Sequence, residues 1–220
     1  MNTYPRHIVQ SFDEDLARVH RQVVEMGAFV VTQLEKLIAA MGDQDSAAAY
    51  GITKRKGQIN QMEVECDTEI FVLLARRCPV ARDLRIVMTA SKIVSCLERV
   101  GDALTKVAHV LLEQLQQKDA KLIAPSEFTL TSGARTLAIL VRALRSYELL
   151  DVASARQILD QHSAPRMELD VTMRQLMSAI ESQPLNESVS QILILKSLDR
   201  ISDLAIEIAR DMVALGEDEP

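Results

Sequence analysis

The sequence predicts an all-α protein, two tandem three-helix bundles made of six long antiparallel helices. Three observations lead there: a residue mixture that favours helices, apolar residues that recur in steps of three and four, and a pattern that begins again in the second half. The chain has 220 residues, of which 48% are hydrophobic, enough to bury a sizeable core without disulfides. Aromatic residues make up only 3% and Trp is absent. Leu, Ala, Ile, Val, Met, Glu, Gln and Arg dominate instead, side chains that lose little freedom in a helix or pack well in helix seams.

The first helix follows from Phe12, Leu16, Val19, Val23, Met26, Val30, Leu34, Leu37 and Met41, which share one helical face. Ser11, with Glu14 three residues on, reads as a capping box at its start. Gly42 and Asp43 interrupt the pattern, and a second helix runs from about Ser46 to Arg77 on Ile52, Ile59, Met62, Cys66, Ile70 and Leu73 before Pro79 ends it. The third, about Ala81 to Gln117, has an unbroken alternation of steps through Ile86, Ala90, Ile93, Leu97, Val100, Leu104, Val107 and Leu111. Long helices with such a repeat pack as antiparallel bundles.

After a loop around Ala124 to Ser126 the plan starts again. Leu130, Leu137, Leu140, Leu144 and Tyr147 mark a fourth helix, Val152 to about Ile180 a fifth, and Ile194, Leu198, Ile201, Ala205, Ile208 and Met212 a sixth. Pro165 predicts a kink or restart in the fifth, because it removes a hydrogen bond and clashes with the preceding turn. Residues 97–102 (LERVGD) and 198–203 (LDRISD) correspond at an offset of 101, and Asp45 opens the second helix much as Asp151 opens the fifth. The repeats are accordingly assigned to residues 1–122 and 123–220.

Charge narrows the function. A net charge of −6 and a pI near 5.3 argue against a nucleic-acid binder, which would present a basic stripe to phosphates. Cys66, Cys78 and Cys96 are too far apart for a zinc knuckle and odd in number, so they read as reduced cysteines of a cytoplasmic protein. No run of about 20 apolar residues suits a membrane span. His7, His20, His109 and His162 are scattered, no Gly-rich phosphate loop occurs, and no nucleophile stands in a pattern with its activating base. An enzyme is not expected.

The residues that invite chemistry are acids. On a helical wheel centred on Leu97, Glu98 and Asp102 fall at about 100° and 140°, one turn apart at the edge of the buried stripe. Asp199, Asp203 and Glu207 form the corresponding ladder beside Leu198. Like charges four apart cost a few tenths, about 0.2–0.5 kcal/mol per pair, unless a cation neutralises them. Lys106, Arg200 and Arg210 are local candidates for that role. Recurrence of the ladder at matching places puts a bound ion on an equal footing with them, and stacked carboxylates suit magnesium, manganese or iron, with zinc a further candidate.

These residues resemble the PhoU family, whose members repeat a three-helix bundle twice and carry Glu/Asp-x-x-x-Asp on the third helix of each. Here that motif is Glu98 to Asp102 and Asp199 to Asp203. Ile59 to Glu63 on the second helix and the Pro-x-Ala-x-Asp-Leu-Arg run, Pro79 to Arg85, match as well, and the likeness spans about Phe12 to Gly216. The chain departs from the family in four respects. Cys96 and Lys56 stand where family members often carry acids. The second motif has Asp199, Ser202 and Glu207 in place of Glu, Gly and Asn, with Glu207 able to supply an oxygen ligand. An acid-rich stretch is missing around Ala164 to Asp170.

The resemblance implies a cytoplasmic accessory protein of high-affinity phosphate uptake. Such a protein contacts the ATP-binding subunit of the phosphate transporter and the phosphate-sensing histidine kinase, represses the phosphate-starvation response, and forms a homodimer. It reaches the membrane only through those partners. A metal-binding or metal-buffering helical protein is the alternative, and a helical scaffold whose acids serve solubility is a third reading.

Overall fold

The computed structural model of the chain describes residues 10–116, 127–161, Arg174 and 185–216. Six helices make up these residues, with no strand among them: α1 (Gln10–Asp43), α2 (Ser46–Arg77), α3 (Ala81–Gln116), α4 (Glu127–Glu148), α5 (Val152–Gln161) and α6 (Leu185–Gly216). The apolar seams became the core. Every named seam residue of α1, α3 and α6 is buried, and on α4 Leu140 and Tyr147 are buried while Leu130, Leu137 and Leu144 pack against them half-buried.

Within each half the three helices pack on one another, α1 with α2 and α3, and α4 with α5 and α6. The halves join through α3 against α6 and α1 against α4, so one hydrophobic cluster runs through both. Two glycines permit the α1–α4 approach. A Cβ on Gly27 would stand 3.1 Å from Leu144, and one on Gly133 would stand 3.2 Å from Ile38. Gly27 and Gly133, like Ile38 and Leu144, lie 106 positions apart, so the two contacts exchange when the halves are swapped. The joint is pseudo-two-fold.

The repeat extends to the turns. α1 and α4 each end with a left-handed residue, Gln44 (φ 55°) and Leu150 (φ 51°). The next amide then reaches back five residues, Asp45 N–H to Ala40 O at 3.0 Å and Asp151 N–H to Ser146 O at 2.8 Å, which satisfies carbonyls the helix end would otherwise orphan. Both aspartates then cap the following helix: the Asp45 carboxylate accepts from the Ala47 and Ala48 amides, and that of Asp151 from the Ser154 amide and hydroxyl. Cys78 (φ 45°) closes α2 with its N–H on Leu74 O, just before Pro79.

Two boundary expectations shift. α1 already includes Gln10, one residue before the expected cap at Ser11. The fifth helix is described only from Val152 to Gln161, and the segment around Pro165 lies outside the described residues. Among the described residues no helix is long and apolar enough to cross a membrane.

Candidate functional site

Glu98 and Asp102 project from α3 toward α2, where Lys56 meets them both. Its Nζ lies 2.5 Å from Glu98 Oε1, 2.8 Å from Asp102 Oδ1 and 3.3 Å from the Glu98 carbonyl oxygen. An ammonium has three N–H donors, and three acceptors surround this one. Burial works to discharge Lys56, but the contacts its ammonium makes to the Asp102 and Glu98 carboxylates outweigh it and hold its pKa above the ordinary lysine value. Glu63, two turns along α2, lies close enough for burial, and next the charge of Glu98, to push its carboxyl upward.

Close helix packing brings this cluster together. Gly101 lies between the two acids in sequence, and a Cβ there would come within 2.8 Å of Ile59 on α2. The missing side chain lets α3 settle against Ile59, three residues from Lys56, within reach of the ammonium. At the matching position of α6 stands Ser202, whose hydroxyl is 3.0 Å from that of buried Thr136 on α4. Glycine serves close approach in one half and serine a polar contact in the other.

The second ridge faces a different neighbour. Glu207 meets Arg99 of α3 at 3.5 Å, and Asp211, one turn further along α6, meets Lys92 at 2.9 Å. Both contacts cross between the halves, beside a shallow cleft of about 260 Å³ that Ser91, Ser95 and Cys96 also line. Asp199 and Asp203 are half-buried and not without partners.

Neither local pairing that the sequence offered for Asp102 and Glu207 describes these contacts; the cations come from another helix. Lys56 was visible in the sequence only as a departure from the family, and Lys92 and Arg99 carried a signal in their seven-residue spacing, which keeps them on one face of α3. Asp211 continues the ladder of Asp199, Asp203 and Glu207 by one more turn.

As arranged, Glu98 and Asp102 do not fit a metal ion between them, since an ammonium already stands there against one oxygen of each and its positive charge opposes a second cation. Among the described residues no group of three His, Cys, Asp or Glu side chains is placed to hold one. The thiols are poor nucleophiles for a related reason. Burial pushes Cys66 up to about 11 and Cys96 up to about 12, leaving little thiolate at neutral pH. Cys78 is exposed. His20 is turned into the α1–α4 joint, with its Nε2 3.2 Å from Glu148 O and its ring 4.8 Å from that of Tyr147.

Comparison with known proteins gives this geometry a setting. The PhoU domain profile matches residues 23–111. A Burkholderia protein described as a phosphate-specific transport system accessory protein PhoU homolog is 32% identical over 207 residues, 93% of this chain and 88% of its own. The Escherichia coli (strain K12) phosphate-specific transport system accessory protein PhoU is 31% identical over 90% of this chain and 82% of its own. Among solved structures, that of PhoU from Pseudomonas aeruginosa superposes with a TM-score of 0.87 at 29% identity, covering 94% of this chain and all of that one. The Streptococcus pneumoniae phosphate transport system regulatory protein PhoU shares the fold with a TM-score of 0.85 at 23% identity, over 94% and 98% of the two chains.

Proposed function

Because the chain belongs to the PhoU family, we propose that it is an accessory protein of phosphate transport that restrains the phosphate-starvation response when phosphate is plentiful. The observation that carries this reading is the likeness to relatives described as phosphate-specific transport system accessory proteins, at 31–32% identity over 90–93% of the chain. In this role it works by contact, coupling the transporter's ATP-binding subunit to the phosphate-sensing histidine kinase, from the cytoplasm and as a homodimer. Two features support a contact role over chemistry: the carboxylates of the first ridge are engaged by Lys56, and Cys66 and Cys96 are buried as thiols.

The test is a phosphate-starvation reporter in cells lacking this protein and grown with ample phosphate. Derepression that the intact chain reverses is the expected result. Unchanged expression would overturn the reading. Pull-down of the ATP-binding subunit and the kinase with the full chain then separates the two partner contacts.

A further inference from the structure

We propose that Lys56 is the resident cation of the first ridge, occupying the position between Glu98 and Asp102 that a divalent ion would need, so that the wild-type chain holds this ridge together without metal. The inference goes beyond the phosphate reading and does not depend on it.

Three observations carry it. Three oxygens surround the ammonium, Glu98 Oε1 at 2.5 Å, Asp102 Oδ1 at 2.8 Å and the Glu98 carbonyl at 3.3 Å. The Lys56 side chain is only 17% exposed, so this is a seated group and not a surface lysine sweeping through solvent. And it comes from α2 while both acids belong to α3, so the contact ties two helices of the bundle. A metal bound by carboxylates sits about 2.0–2.2 Å from its oxygen ligands. An ammonium and an ion cannot share the same oxygens at those distances, so an ion entering this position would require Lys56 to leave, and one on the outer oxygens would face its charge.

The same geometry says what Lys56 suppresses. An acid in place of the lysine would set a carboxylate of α2 against Glu98 and Asp102 of α3, three in all. Such a set, with oxygen ligands from two helices, suits a hard divalent ion. One side chain on α2 therefore decides whether this ridge is closed by an internal salt bridge or by metal from solution.

The experiment uses the full chain, stripped with EDTA and titrated with Mn²⁺, the free ion being followed by its paramagnetic resonance signal. Wild-type protein and Glu98→Gln/Asp102→Asn should take up Mn²⁺ identically. Lys56→Glu should gain one Mn²⁺ per chain, bound at least about tenfold more tightly than anything in the wild type. Adding Glu98→Gln/Asp102→Asn to it should remove that gain. Wild-type binding that Glu98→Gln/Asp102→Asn abolishes would overturn the proposal, and so would a folded Lys56→Glu protein that takes up no more than wild type. Should Lys56→Glu fail to fold, the wild-type comparison still decides.

Discussion

The two acidic ridges begin from nearly the same six residues and end in different roles. On α3, Glu98 and Asp102 are answered from within their own bundle by Lys56, which is half-buried, hydrogen-bonded to Glu98 and ion-paired with both acids. On α6, Glu207 and Asp211 are answered from the other bundle by Arg99 and Lys92, cations 41% and 59% exposed where Lys56 is 17%. At the 101-residue offset Glu98 and Asp102 match Asp199 and Asp203, whereas Glu207 and Asp211 fall opposite Lys106 and Val110, so the contacts between the halves are made by acids that the second ridge adds beyond the shared motif. The first ridge thus ties α2 to α3 through its motif acids, and the second ties α6 to α3 through the two acids that extend its ladder.

The largest test asks whether the halves are separable at all. One apolar cluster contains both Leu97 and Leu198, at most 1% exposed, each at the centre of its seam. Leu97→Ala and Leu198→Ala should each cost about 2–5 kcal/mol, the transfer of a buried side chain plus the cavity left behind. Because the core is shared, both should lower a single unfolding transition in denaturant followed by circular dichroism. Two transitions, each moved by only one variant, would show that the α3–α6 contact is too weak to couple the bundles.

Removing Lys56 should come next. Lys56→Met keeps the stem but leaves Glu98 and Asp102 without their ammonium, and breaking one side of a half-buried pair costs about 1–3 kcal/mol. The loss should be the same in EDTA, as expected of an internal cation, and a stability unchanged by the substitution would make the first ridge no firmer than the second.

The division between what was legible and what was not follows the same line. Periodicity located α1, α2, α3, α4 and α6 because burial of one helical face is a local signal, and Asp45 and Asp151 marked helix starts because capping is local too. The acids were found for the same reason. Their partners were not, since Lys56 lies 42 residues from Glu98 and Arg99 lies 108 from Glu207, and nothing in the chain's order specifies such a meeting. The wheel gave the direction of Glu98 correctly but could not say which helix would stand opposite. Gly101 carried a hint, since a glycine tolerated inside a seam implies close approach, but not that Ile59 would fill the space.

The α1–α4 joint between the bundles should respond to pH through His20. Burial, only partly offset by the hydrogen bond to Glu148 O and the nearby Glu148 charge, lowers its pKa. The unfolded chain then binds a proton before the folded one does, so stability is complete above about pH 6.5 and declines as pH falls toward the depressed folded value. Thermal melts should show that loss between wild-type samples at pH 7.5 and 5.5. In His20→Gln it should shrink, and an unchanged slope would assign the loss to other groups.

The two turns offer a smaller contrast, of opposite sign. Gln44 and Leu150 both adopt the left-handed conformation that favours glycine, but Leu150 also packs on the core while Gln44 does not. Gln44→Gly should stabilise by about 0.5–1 kcal/mol. Leu150→Gly should gain less or lose, because relief of the backbone is set against lost burial. Chemical denaturation of the two variants gives the comparison directly.

The smallest effect belongs to the second ridge. Arg99 and Glu207 are each 41% exposed and 3.5 Å apart, so water and salt screen most of their attraction. A double-mutant cycle with Arg99→Gln and Glu207→Gln should give a coupling of about 0–0.5 kcal/mol that vanishes in 1 M salt. The parallel cycle on Lys56 and Glu98 should give more and survive the salt, because burial shields that pair from the ions. If the two couplings prove equal, the contrast between the seated Lys56 pair and the open Arg99 pair would fail, and the burial of the cation would have no energetic consequence.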